Sequence, residues 1–146
     1  MSPIQTPALV PELYVSDLDQ SLAFYGDVLG FEVMFLRAEE GFAYLTREGA
    51  HLMLEELAGP GRKFQTGNLV PPLGRGMHLQ IRVSDVNDLH RGVTESKINI
   101  IIDLEDRWYR QSDLERGNRQ FVVSDPDGYV LRFYSDLGTR AVGVTS

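Results

Sequence analysis

The chain repeats itself, and that constrains its fold more than any other feature. Residues 12–25 read ELYVSDLDQSLAFY and residues 80–93 read QIRVSDVNDLHRGV. Each copy is an alternating segment that ends in Val-Ser-Asp and then turns helix-like. In the first copy Asp17 stands where an N-cap belongs, with Gln20 three residues on, the spacing of a capping box. Leu18, Leu22, Tyr25 and Leu29 make an apolar stripe at helical spacing, and Gly30 ends it. The second copy starts at Asp85 and places Val86, Leu89 and Val93 on one face. Three extended segments follow each helix, at about 31–37, 41–46 and 50–56, and at about 98–104, 119–124 and 129–135. Arg47–Glu48–Gly49 turns the chain in the first set. Asp125-Pro126-Asp127-Gly128, with Pro at the second position, turns it in the other. Strand, helix and three strands, twice over, predicts an α+β fold of two βαβββ modules. The helix covers one face of each sheet; the other faces can together wall a cleft.

With 146 residues, one domain is expected. Its parts are module one at about 8–56, a Gly- and Pro-rich linker at about 57–75, module two at about 76–135 and a tail at 136–146. A second long stretch, 105–118, is predicted as a loop that carries Arg107-Trp108-Tyr109-Arg110 to the rim of the cleft. The chain has no cysteine, which excludes disulfides, thiolate metal sites and cysteine nucleophiles. Its formal charge of −7 argues against binding to phosphate backbones, so nucleic acid is not an expected partner. The opening MSPIQTPALV has neither the basic start nor the long apolar run of a signal peptide, and no run approaches a membrane span. A cytoplasmic protein is expected, without a membrane partner.

Strand alternation sorts the bare faces. Leu9, Leu13 and Val15, then Leu52 and Leu54, then Met77, Leu79, Ile81 and Val83, then Leu131 and Phe133 belong under the helices. The opposite side carries Val10, Glu12 and Tyr14, then His51, Met53 and Glu55, then His78, Gln80 and Arg82, then Val130, Arg132 and Tyr134. One face of an antiparallel sheet often simply meets water. Here Tyr14, Met53, Val130 and Tyr134 are more apolar than a wet face requires, which favours a lined cleft.

Two segments, VSDLDQSLAFYGDVLGF at 15–31 and RQFVVSDPDGYVLRFY at 119–134, make a resemblance visible. The chain resembles the vicinal oxygen chelate superfamily, which includes glyoxalase I, extradiol dioxygenases and bleomycin-resistance proteins. The resemblance implies that the two modules form a cupped mixed sheet around a central cleft. In metal-dependent members a divalent ion sits there, held by the first and last strands of each module. Those positions carry Val10, Met53, His78 and Arg132 here. Three of the four cannot ligate a metal, and Arg132 would put a permanent cation at its place. The resemblance therefore points to the metal-free bleomycin-resistance branch, whose members sequester drugs and are usually dimers. Pro11-Glu12-Leu13 and the run Gly117-Asn118-Arg119-Gln120-Phe121 also look like that branch.

The expected function is metal-independent binding of a small planar ligand, cationic or not, by a homodimer that confers antibiotic resistance. No cofactor and no catalytic residue are expected. The competing expectation is a metal-dependent glyoxalase-like lyase, isomerase or dioxygenase, which needs ligands the sequence lacks. Tyr14, Tyr44, Met53, Glu55, His78, Trp108, Tyr109 and Arg132 are the expected ligand-binding residues. Trp108 and Tyr109 can stack on a flat ring or a cation, or plug the loop onto the sheet. His90 reads as a surface residue, and none of the three histidines has an obvious serine or acid partner in the sequence.

Overall fold

The structure is a computed structural model, and it describes residues 3–143. The chain divides after Leu73 into two compact units. The first holds β1 (Glu12–Val15), α1 (Leu18–Leu22), β2 (Glu32–Arg37), β3 (Phe42–Arg47) and β4 (Ala50–Glu56). The second holds β5 (His78–Arg82), α2 (Val86–Glu95), β6 (Ile100–Gln111), β7 (Leu114–Ser124) and β8 (Val130–Ala141). Each forms a four-stranded mixed sheet, in the orders β1-β4-β3-β2 and β5-β8-β7-β6. The outer strands β1 and β5 pair in parallel with β4 and β8, and every other pairing is antiparallel. The repeat in the sequence is thus a repeat of topology, and the fold is α+β.

Local chemistry starts both helices alike. The Asp17 carboxylate accepts from the Gln20 amide at 3.1 Å, and the Asp85 carboxylate accepts from the Asp88 amide at 3.0 Å. Each satisfies a backbone donor that the first helical turn would leave orphaned. The first helix does not run on as an α-helix to Leu29. Ala23–Val28 widens into a π-helical turn, in which the Leu29 amide donates to the Phe24 carbonyl at 3.1 Å. That change of pitch buries Phe24 and Tyr25, while Leu22 is only partly buried.

Under the helix, module one packs Leu13, Val15, Leu45, Leu52 and Leu54 with Leu18, Phe24, Tyr25 and Leu29. Module two packs Ile81, Val83, Phe121, Val123, Leu131 and Phe133 with Val86, Leu89 and Val93. Each such side chain stabilises by roughly 1.5–3 kcal/mol. Leu9 and Met77, expected in this layer, lie before their strands and are 81% and 50% exposed.

The largest departure is at 105–118, which is no loop. Strands β6 and β7 continue through it as a hairpin that turns at Ser112, whose φ is 59°, and Trp108 pairs with Gly117. Strand β8 follows to Ala141, so most of the expected tail is strand; residues 144–146 lie outside the described residues.

Candidate functional site

Paired residues share a face, so the ladders fix what each open face presents. In module one, Glu12 pairs with Met53 and Tyr14 with Glu55, while Tyr44 pairs with Met53 and Phe42 with Glu55. Phe35 stacks on Tyr44 with centroids 5.1 Å apart, and the Arg37 guanidinium lies 3.8 Å from the Phe42 centroid. The Tyr44 hydroxyl and His51 Nδ1 share a hydrogen bond of 2.7 Å. Tyr14, Tyr44, Met53 and Glu55 therefore belong to one surface.

That surface is covered by the chain's own linker. Glu55 is 4% exposed, and the Lys63 ammonium stands 3.9 Å from its carboxylate. Lys63 also donates to the carbonyls of Gly59 at 3.0 Å and Gly61 at 2.8 Å. The Phe64 amide donates to the Tyr14 hydroxyl. A β-carbon on Gly61 would fall inside the contact radius of Glu55 Oε1, so only glycine lets the segment lie this close. Burial and the neighbouring Glu55 charge push the Glu12 carboxyl above its ordinary range, although Arg37 and Lys63 pull the other way.

Module two keeps its face open. A concavity of about 500 Å³ has His78, Val130 and Arg132 on one side and Ile101, Ile102, Glu105, Arg107 and Tyr109 on the other. Gln120 and Val122 complete its wall. Arg132 donates to the Gln80 side-chain oxygen and, at 3.4 Å, to the Tyr109 hydroxyl. Its guanidinium lies 5.6 Å from the Tyr109 centroid. The Gln120 amide donates to the same hydroxyl at 2.7 Å and to Glu105 at 3.3 Å. Arg132 Nε and Gln120 Oε1 are buried without a partner. Burying a polar atom unpaired costs about 1–3 kcal/mol.

His78, Tyr109 and Arg132 thus meet in one wall, but Trp108 points elsewhere. The Arg140 guanidinium covers its ring at 4.1 Å, and a β-carbon at Gly117 would stand 2.8 Å from the indole. His90 also differs from expectation. Its Nε2 pairs with Asp103 at 2.7 Å, and the Leu104 amide together with His90 holds the Asp103 carboxyl below its ordinary range. Gln80, Gln120, Arg107 and Lys63 were not among the expected site residues. Alternation in RQFVVS, with Phe121 and Val123 inward, was the signal that could have placed Gln120 beside Arg132.

The residues do not fit a divalent ion of the family kind. Of Val10, Met53, His78 and Arg132, one offers a strong donor and one is a cation. Among the described residues no three of His, Cys, Asp and Glu gather closely enough to hold a metal.

Comparison with known proteins agrees with this topology. Residues 8–133 match the family model described as the Glyoxalase/Bleomycin resistance protein/Dioxygenase superfamily. Over 135 residues the chain is 25% identical to the bleomycin resistance protein of Geobacillus stearothermophilus, covering 88% of this chain and 96% of that protein. The bleomycin resistance protein of Staphylococcus aureus matches with the same identity and the same coverage, 88% and 96%. Among solved structures, TioX from Micromonospora sp. ML1 aligns with a TM-score of 0.68 at 23% identity, over 90% of this chain and 100% of that one. A virulence protein of Salmonella typhimurium aligns with a TM-score of 0.67 at 18% identity, over 91% and 98% of the two chains. These two structural matches speak to the fold alone.

Proposed function

Since the chain belongs to the Glyoxalase/Bleomycin resistance protein/Dioxygenase superfamily, we propose that it is a cytoplasmic, metal-independent binding protein of the bleomycin-resistance type. It holds a planar small molecule against the open sheet face of module two and protects by sequestration. The observation that carries this reading is Arg132. At a family metal-ligand position it places a guanidinium, oriented by Gln80 and Tyr109 and set in the concave wall of module two. A permanent cation there opposes a divalent ion and leaves hydrogen-bond donors and an aromatic ring for an organic ligand.

A homodimer belongs to the same proposal. Edge strand β2 exposes Val33, Met34, Phe35 and Leu36. Exposed apolar edges invite pairing, and a second copy would cover them. Light scattering should give twice the chain mass; a monomer at micromolar concentration removes the dimer.

The experiment on the main reading is elemental analysis followed by thermal melting with added nickel or zinc. The protein should purify without stoichiometric metal, and its melting temperature should not respond, because only a ligand selective for the folded state stabilises it. A saturable, chelator-reversible rise would restore the metal-dependent enzyme.

A further inference from the structure

Within the sequestration reading, on which this inference rests, we propose that the open face of module two is a site for a carboxylate on an apolar, planar body, with Arg132 and Arg107 as the recognising groups. Where the arginines of this module find their carboxylates is instructive. Arg116 pairs with Asp136 at 2.8 Å, Arg119 with Asp106 at 2.8 Å, Arg140 with Glu115 at 3.1 Å, and Arg91 with Asp88. Arg82, Arg107, Arg110 and Arg132 show no such pair among the described residues, and of these four only Arg107 and Arg132 line the concavity, although acidic side chains outnumber basic ones by 21 to 14 in the chain. Glu105, the one carboxylate in the wall, accepts from the Gln120 amide instead.

Two like charges in one concavity repel, and in a chain with acids to spare the fold has left them unneutralised. Arg132 is positioned by neutral groups, the Gln80 amide and the Tyr109 hydroxyl, which fix its plane without cancelling its charge. A planar, oriented guanidinium matches a carboxylate through paired N–H donors. The same concavity has an apolar floor in which Ile101 and Ile102 are 50% and 44% exposed, with Val122 and Val130 beside them. Such a floor accepts a hydrocarbon ring, while the arginines accept its oxyanion. A cationic ligand would meet the wrong charge here.

Three probes of one shape separate the possibilities: 2-naphthoate, the neutral 2-naphthamide and the cationic 2-naphthylmethylamine, each titrated calorimetrically against the intact protein. Naphthoate should bind about tenfold or more tightly than the amide, and the amine weakest. Arg132→Gln should reduce naphthoate to the level of the amide without changing the amide. Arg107→Gln, at an exposed position where folding is not at stake, should lower the preference severalfold, and added salt should lower it too. Equal binding of naphthoate and amide, tighter binding of the amine, or a preference untouched by both substitutions would overturn the proposal while leaving a planar ligand intact. Failure of all three probes to bind would overturn it together with the sequestration reading.

Discussion

The two modules share one ladder and differ in what they hang on it. Glu12 opposite Met53 in module one corresponds to Gln80 opposite Arg132 in module two, and Tyr14 opposite Glu55 corresponds to Arg82 opposite Tyr134. At the far edge, Arg37 opposite Phe42 corresponds to Glu105 opposite Gln120. Along the outer parallel pair both acids become neutral and the neutral Met53 and Tyr14 become arginines, while on the edge strand Arg37 becomes Glu105. The face with two carboxylates is covered by the chain's own Lys63 and its flanking backbone, whereas the face with Arg132 is open. A repeated backbone thus fixes where side chains stand but leaves the sign of each position free. A face whose charge is met within its own module is closed, and a face whose charge is not met keeps room for a ligand.

The sharpest way to break this contrast is to lift the linker from module one. Gly61→Ala puts a methyl group against the Glu55 carboxylate, so either that buried carboxylate or the segment must shift, and either shift loosens the Lys63 and Phe64 contacts. A loss of about 1–3 kcal/mol is expected in denaturant titration. Trypsin should cut after Arg62 or Lys63 on the order of tenfold faster, since cleavage follows the opened population. Unchanged cleavage would mean that the segment does not guard this face.

A smaller effect sharpens the charge side of the comparison. The pKa of the Glu12 carboxyl is raised from its ordinary value of 4.5 by burial and by Glu55. The unfolded chain then ionises before the folded one, so this residue costs stability as pH rises through and above that value. Glu12→Gln should therefore stabilise the fold at pH 7, by less than about 1 kcal/mol because the side chain is largely exposed, and raise the melting temperature accordingly. The gain should vanish well below pH 4.5, where Glu12 is protonated in both states. A variant that melts lower at pH 7 would place Glu12 in a stabilising ion pair instead.

Most of the backbone was legible because local signals agreed with the global pattern. Asp17 and Asp85 cap as their spacing predicts, and Asp125 accepts from the Asp127 and Tyr129 amides at 2.9 Å to close the turn that its sequence announces. The hairpin at 105–118 was not legible. Its residues Glu105-Asp106-Arg107-Trp108-Tyr109-Arg110 show no apolar alternation, and what ties them to β7 is the backbone ladder with a cross-strand charge pair, Asp106 to Arg119 at 2.8 Å. Pairs of that kind depend on a register no periodicity reveals. The same limit hid Lys63 over Glu55, a contact made by one side chain that the carbonyls of Gly59 and Gly61 hold in place. The polar face of module two was legible in composition, since His78 and Arg132 follow from alternation. The hydrogen bond from Arg132 to Tyr109 was not, because Tyr109 stands on β6 in the stretch that the sequence predicts as a loop.

The indole clamped between Arg140 and Gly117 has an optical consequence. Trp108 is the only tryptophan in the chain and belongs to module two, so emission excited at the red edge of indole absorption comes from that module alone. Far-ultraviolet dichroism, by contrast, sums the backbone of both. Superimposable unfolding curves from the two signals would mean that the modules melt as one cooperative unit, and separated curves would resolve them. One aromatic residue thereby turns a two-module chain into its own reporter of cooperativity.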